Sequence, residues 1–354
     1  RVNQRVNLSQ TLLNATQWQT YQRSIALVER ARIDLAISQE DLALRLIKAW
    51  LDALSARDQH TLILTEQAAI LEQYEVVQAR FNLGQVAVTE LEETKSRLQS
   101  LQARMAQANT QVTLAQLRIA AIVGDAPVRI PPASFVQPFL PGLEQADSIE
   151  QQVHANWALQ RALKLAQISQ IELRAAGAGH LPSLSIQMSV NRRLDQPVDG
   201  SNGLNNSGNS DQKTLAAVLS VPVFQGGRVV AQTEQSRQRL NASQAQYELV
   251  VSDAKMQAHS AKAKISGAFA RLVALGQAIT ASESVLNAYT ASYQVGLRTN
   301  ADVLEAQFHL GKAKSDWLLA KYDLLLGFAE YHAALGKLND STLATIDLAL
   351  LSLP

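Results

Sequence analysis

One stretch of this chain is written twice, and any fold must accommodate the repetition. Phe81, Gly84, Glu90, Leu91 and Glu93 return 212 residues later as Tyr293, Gly296, Asp302, Val303 and Glu305, and Gly124 returns as Gly336. An offset that holds from the middle of a segment to its end marks one structural unit in tandem. In each copy a long Pro-free run reaches a lone Gly, and an acidic turn then opens a second long Pro-free run. Gly84 and Gly296 supply the positive backbone angles that a reversal between helices needs. Thr89-Glu90 and Ala301-Asp302 put carboxylates where the dipole of the next helix favours them. Each copy therefore reads as a helical hairpin, a pattern that an ordinary soluble hairpin and a channel element share.

The first run, 15–82, contains neither Pro nor Gly, and apolar or small residues recur every seventh position as Val28, Leu35, Leu42, Ala49, Ala56, Ile63, Ile70 and Val77. As one helix it would reach on the order of 100 Å at about 1.5 Å per residue, so it requires neighbouring helices. The return helix, expected over 90–123, sets Leu91, Leu98, Met105, Val112 and Ile119 at one core position and Leu101, Ala108, Ala115 and Ile122 three residues later. In the second copy Val303, Leu310, Trp317, Leu324 and Tyr331 are joined by Ala313, Ala320, Gly327 and Ala334. The second position is small in both copies, which allows close lateral packing of helices.

Alternation of period two appears elsewhere. Val2, Val6, Leu8 and Leu12 share one side of a predicted strand over 1–13. Five prolines between Pro127 and Pro141 make that stretch irregular, and a helical pattern resumes over 147–176 until Gly177, Gly179 and Pro182 end it. Leu184, Ile186, Met188 and Val190 form a second alternating run; Leu215, Ala217, Leu219, Val221 and Val223 form a third. Between them, 195–211 is rich in Asn, Gly and Ser and reads as a solvated loop. Each run is about ten residues, the length that crosses a bilayer as a tilted strand. A soluble coiled-coil protein has no use for isolated strands with one continuous apolar face, whereas a transmembrane β-barrel has lipid outside and water within. Three strands cannot close a barrel, so the closing edges must come from other copies of the chain.

Two motifs now carry a resemblance. Leu219-Ser220-Val221-Pro222-Val223-Phe224-Gln225-Gly226-Gly227-Arg228 resembles the strand-to-helix junction of TolC-family outer-membrane channels, and residues 293–307, with Val295-Gly296-Leu297-Arg298-Thr299 and Asp302-Val303-Leu304-Glu305-Ala306, resemble that family's periplasmic end. The resemblance covers nearly the whole chain. It implies a mainly α fold with a β-barrel part: two tandem repeats of long coiled-coil hairpins plus transmembrane strands, assembled as a homotrimeric α/β barrel. Strands would lie within 1–14 and 181–225 with an extracellular loop at about 195–212, the α-helical barrel within 15–123 and 226–335, and an equatorial region within 124–180 and 336–354. The implied function is a channel-tunnel in the Gram-negative outer membrane, reaching into the periplasm, that exports proteins by type I secretion or small toxic compounds as part of a tripartite pump. Its implied partners are outer-membrane lipid, a periplasmic adaptor of the membrane fusion type and an inner-membrane ABC or proton-driven transporter. Family members have four strands per protomer, so the first strand and the helix before it are expected to precede this sequence, which begins at Arg1 as a trimmed or mature fragment would. Asn156-Trp157 stands where the family often has Asn-Pro.

Carried over residue by residue, the resemblance makes Tyr293 with Glu90, and Arg298 with Thr89, the contacts that lock the periplasmic end. Asp302 and Glu305, three apart on one helix face, become an acidic constriction whose crowding in a trimer would raise some carboxyl pKa values. The alternative reading of both acids is helix-start carboxylates favoured by the dipole. Other chemistry finds little footing. A net charge of +1 and 5% aromatics give no electrostatic or stacking case for nucleic acid. With no Cys, thiol chemistry and Cys-ligated metal are excluded. The six histidines show no ligand spacing, Gly226-Gly227 lacks the Lys of a phosphate loop, and no catalytic set can be placed in one pocket, so neither an enzyme nor a cofactor is expected. A periplasmic adaptor built from helical hairpins is the alternative function.

Overall fold

In the computed structural model the chain is described over residues 2–124, 149–194, 210–339, 342 and 344–346. In order, it runs β1 (Val2–Leu13), α1 (Ala15–Asn82), α2 (Val88–Val123), α3 (Ile149–Gln152), α4 (Trp157–Gly177), β2 (Ser183–Leu194), β3 (Ser210–Ser220), α5 (Arg228–Gln294) and α6 (Asn300–Ala334). The Pro-rich stretch at 127–141 and the Asn/Gly/Ser-rich stretch up to 209 lie outside the described residues. No helix among those described is long and apolar enough to cross a membrane.

Two compact units result, one from Arg1–Leu35 with Ala158–Val250, the other from Ala36–Trp157 with Val251–Pro354. The first holds a three-stranded antiparallel sheet in the order β1-β2-β3. Its register sets Leu8 opposite Met188 and Met188 opposite Leu215, with Ile186 opposite Ala217 and Leu184 opposite Leu219, so the apolar residues form one continuous face. That face is bare: Leu8 is 65% and Leu215 75% exposed. Asn7, Ser189 and Thr214 line up on the other side. A bulge between Thr11 and Leu13 leaves Leu12 out of the ladder, as happens where a strand ends and the chain must turn. In the same unit, α1 and α4 are joined by Arg23–Glu172 and Lys164–Glu29, both at 2.7 Å.

Three element boundaries depart from the sequence reading. The helix expected over 147–176 is broken: α3 passes into a 3₁₀ turn over Val153–Ala155, and α4 starts only at Trp157. Asn156 causes the break, because its extended backbone and buried amide serve a hydrogen bond from Nδ2 to the Ala334 carbonyl at 2.8 Å. The third strand ends at Ser220 rather than at Val223, since Pro222 offers no N–H to a ladder. Conversely, β3 begins at Ser210, inside the expected loop, where Arg192 pairs with Asp211 across the ladder at 3.3 Å.

The second unit is built on small residues, as the repeat predicts. Ala254, Ala258, Ala261, Ile265 and Leu272 of α5 pack on Ala320, Leu324 and Tyr331 of α6. Ile47, Leu51 and Leu54 of α1 meet Leu325, Phe328 and Ala329 of α6. Ala49 and Ala53 of α1 meet Ala115 and Ile119 of α2. A Cβ on Gly327 would stand 3.4 Å from Ile265, so that position is already at contact distance. In this way α6 is flanked by α1 and α5, and α1 by α2 and α6, which brings the two hairpin turns into one neighbourhood through their helices.

Candidate functional site at the hairpin ends

Both hairpins turn in the same way. Gly84 has φ 72° and Gly296 φ 76°. The N–H groups of Gly84 and Gln85 return to the carbonyls of Phe81 and Arg80, and those of Gly296 and Leu297 to Tyr293 and Ser292. This paired closure satisfies the last carbonyls of the helix and needs a left-handed residue at its centre.

Beyond the turns the copies part company. Thr299 caps α6: its Oγ1 accepts the Asp302 N–H at 3.2 Å, and the Asp302 carboxylate accepts the Thr299 N–H at 2.9 Å. At the matching position α2 has Ala87, which offers no side-chain cap. Glu90, the counterpart of Asp302, is therefore available for another bond, and its Oε1 accepts the phenol hydrogen of Tyr293. Arg80 completes the contact, donating from Nη1 to the Tyr293 hydroxyl at 3.2 Å with its guanidinium 5.6 Å over the ring. Burial, followed by the Glu90 carboxylate, pushes the Tyr293 pKa up, so the phenol keeps the proton it donates. Two residues expected to meet thus do, across the two copies.

The second expected contact takes another form. No Arg298–Thr89 bond occurs among the described residues; Arg298 lies 3.7 Å from Asp302 and its guanidinium stacks 4.4 Å over Tyr289. A side chain one turn before a helix-start carboxylate reaches that carboxylate more readily than an exposed hydroxyl on a different helix. Thr89 is exposed in the first turn of α2. Asp302 also behaves differently from a crowded acid: within the protomer the Thr299 hydrogen bonds, then Arg298, hold its carboxyl below the usual range. Glu305 points outward, its side chain 72% exposed and 3.6 Å from His309. It shares a groove between α2 and α6 with Glu93, its own counterpart in the first copy, and with Ser96, Arg97 and Phe308.

Residues that the sequence reading passed over tie the same region together. Asn300, 2% exposed at the first position of α6, accepts from Gln73 Nε2 at 2.6 Å and donates from Nδ2 to Thr94 Oγ1 at 2.8 Å. Thr94 in turn donates to the Glu90 carbonyl at 2.9 Å. A signal for this network was present: Thr94 falls in the small or apolar series that continues as Leu101, Ala108, Ala115 and Ile122, and a polar residue at such a position sets helix register at some cost in stability. Among the described residues no cluster of three or more His, Asp or Glu is placed to hold a metal.

Long paired hairpins, duplicated, with a short sheet bare on its apolar side, define the design of an outer-membrane tunnel protein. A profile of the outer membrane efflux protein family matches residues 149–337, and the chain belongs to that family. It is 26% identical to outer membrane protein TolC of Escherichia coli (strain K12) over 98% of this chain and 71% of that one. It is 24% identical to the alkaline protease secretion protein AprF of Pseudomonas aeruginosa over 96% of this chain and 71% of that one. The crystal structure of outer membrane protein VceC from Vibrio cholerae superposes with a TM-score of 0.80 at 17% identity, covering 94% of this chain and 79% of that one. Membership makes this chain an outer-membrane export channel, in a family of channels and not of enzymes. It removes the periplasmic adaptor considered from the sequence.

Proposed function

We propose that this chain is the outer-membrane duct of a tripartite export machine, assembled as a homotrimer, docked to a periplasmic adaptor and fed by an inner-membrane transporter. Its strands contribute to one barrel shared among three copies, and the helical hairpins line a periplasmic tunnel. The single observation that carries the reading is the sheet: its apolar face is exposed at Leu8, Ile186, Met188, Leu215 and Leu219, and β1 and β3 are both edges. Such edges demand partners, and such a face demands lipid.

The hairpin ends then form the gate. Tyr293–Glu90 joins the two hairpins of one protomer, and a hydrogen bond to a carboxylate at a part-exposed site contributes about 1 to 2 kcal/mol. Three copies of such a bond would hold the tunnel shut yet yield to an adaptor. Arg298 orders the start of α6 through Asp302, and Glu305 supplies the outward carboxylate of a cation-selective ring. Single-channel recording of the full-length protein tests the gate: Tyr293→Phe should raise conductance, and unchanged conductance would remove Tyr293 from the lock.

A further inference from the structure

Asn300 lies one step beyond the contact just described. Gln73 and Arg80 are seven residues apart on α1, about 10 Å along the helix, and form two rungs: Arg80 reaches Tyr293 near the end of α5, and Gln73 reaches Asn300 at the start of α6, on the far side of the second turn. The two rungs meet at Glu90, whose carboxylate takes Tyr293 and whose carbonyl takes Thr94. Their chemistry differs. The first rung involves a carboxylate and a guanidinium, whereas the second consists of an amide, an amide and a hydroxyl.

Burial makes the second rung demanding. Asn300 is 2% and Thr94 0% exposed, with Val303 and Val77 at 1% close by in sequence. A buried amide is tolerated only when its groups are satisfied. Here the orientation is fixed by the partners: Thr94 spends its hydrogen on the Glu90 carbonyl, so its oxygen can only accept, and Asn300 must present Nδ2 to it and Oδ1 to Gln73. The first residue of α6 therefore cannot leave α1 and α2 without stranding polar groups among apolar side chains.

We infer that Asn300 is a second, uncharged latch on the closed end, holding the start of α6 to α1 through Gln73 and to α2 through Thr94. This inference rests on the gate reading above. Because no member of the rung carries a charge, the latch keeps its strength at salt concentrations that screen ion pairs. It acts by positioning α6 and touches no cargo.

The test is planar-bilayer recording of the full-length protein with Thr94→Val, Thr94→Ser, Asn300→Ala and, for comparison, Tyr293→Phe, together with thermal melting of each. Thr94→Val keeps the shape and removes the hydroxyl, Thr94→Ser retains it, and Gln73→Met reads the same contact from α1 should Asn300→Ala fail to assemble. Thr94→Val should raise the open-to-closed ratio roughly three- to tenfold per protomer, the loss expected for one neutral hydrogen bond, and Asn300→Ala, which also loses the Gln73 bond, should raise it at least as much. Thr94→Ser should match the parent, the rise should be equal at low and high salt, and the double variant should not exceed Asn300→Ala alone, because Asn300→Ala already removes the Thr94 bond together with the Gln73 bond. If Tyr293→Phe raises conductance while Thr94→Val lowers only the melting temperature, Asn300 is structural support and the latch is overturned. If Tyr293→Phe also leaves conductance unchanged, the gate reading falls and takes the latch with it.

Discussion

Two small divergences between the copies separate a capped acid from a bonding acid. Where the second copy has Thr299 the first has Ala87, and where the first has Phe81 the second has Tyr293. Loss of the cap hydroxyl frees the Glu90 carboxylate, and gain of a phenol gives it a donor. The Ala87 backbone is extended, at φ −76° and ψ 153°, which a Thr adopts without strain. Ala87→Thr should therefore restore the reciprocal cap, since the sequence would then place Glu90 three residues after a hydroxyl, and stabilise α2 by about 1 kcal/mol. Drawn back to the N–H at position 87, the Glu90 carboxylate would leave Tyr293, so melting temperature and conductance should rise together. A variant that melts higher with parental conductance would show that Glu90 does not choose between these partners. The same asymmetry divides the acidic pair: Glu305→Gln should reduce cation preference in reversal-potential measurements, whereas Asp302→Asn should mainly lower thermal stability through the cap it shares with Thr299. Equal loss of selectivity in both would mean that the cap leaves Asp302 free to face the pore.

Along α1 the contact with α6 changes character. Ile47, Leu51 and Leu54 meet Leu325 and Phe328, but at Asp58 the partners become Tyr322, whose hydroxyl donates at 2.5 Å, and Lys321, 2% exposed at 3.5 Å. Burial lowers the Lys321 pKa and raises that of Tyr322. Further along, Gln59 and Gln73 bond across to Ser315 and Asn300 of α6, and Arg80 reaches Tyr293 of α5. The helices and their turns were legible in the sequence because a seven-residue apolar series and a lone Gly at a 212-residue offset leave few alternatives. The polar seam was not, because Gln59, Gln73 and Arg80 look like solvated surface until the facing helix is known. The same blindness applies to Arg298, whose choice of Asp302 depends on a cap geometry that the resemblance does not carry. Glu40 is a further case. Burial pushes its carboxyl up to about 7, against a smaller opposing effect of the Leu338 N–H. Between the ordinary carboxyl range and that value the native chain binds more protons than the unfolded one, so Glu40 makes stability fall as pH rises through this window. Glu40→Gln should thus gain about 1 kcal/mol at about pH 8, after discounting for partial exposure, and nothing at about pH 4. Parallel melting curves of the two proteins across that range would contradict the assignment.

For the whole molecule, the decisive surface is the bare side of the sheet. Leu8, Met188 and Leu215 lie side by side near the middle of their strands, and Asn7, Ser189 and Thr214 lie side by side on the reverse. If three copies close a barrel, the first row meets lipid and the second meets water, because hydrocarbon rejects the amide and hydroxyl groups that a pore requires. An Arg at the bilayer midplane of a barrel strand costs about 2 to 4 kcal/mol on the lipid side, and threefold assembly would apply that penalty three times. Leu215→Arg should therefore deplete the membrane-inserted trimer, seen as loss of the trimer band on native gels of outer-membrane extracts. Thr214→Arg, one residue away, should insert and assemble as the parent does while shifting ion preference towards anions. The pair is informative because both substitutions add the same charge to adjacent positions of one strand, so net charge, strand propensity and expression burden are matched and only the facing medium differs. Equal assembly of the two variants would place β3 in a soluble sandwich with both faces wet or covered by protein. Depletion by Thr214→Arg alone would invert the barrel, with the apolar row turned inward as a packed core.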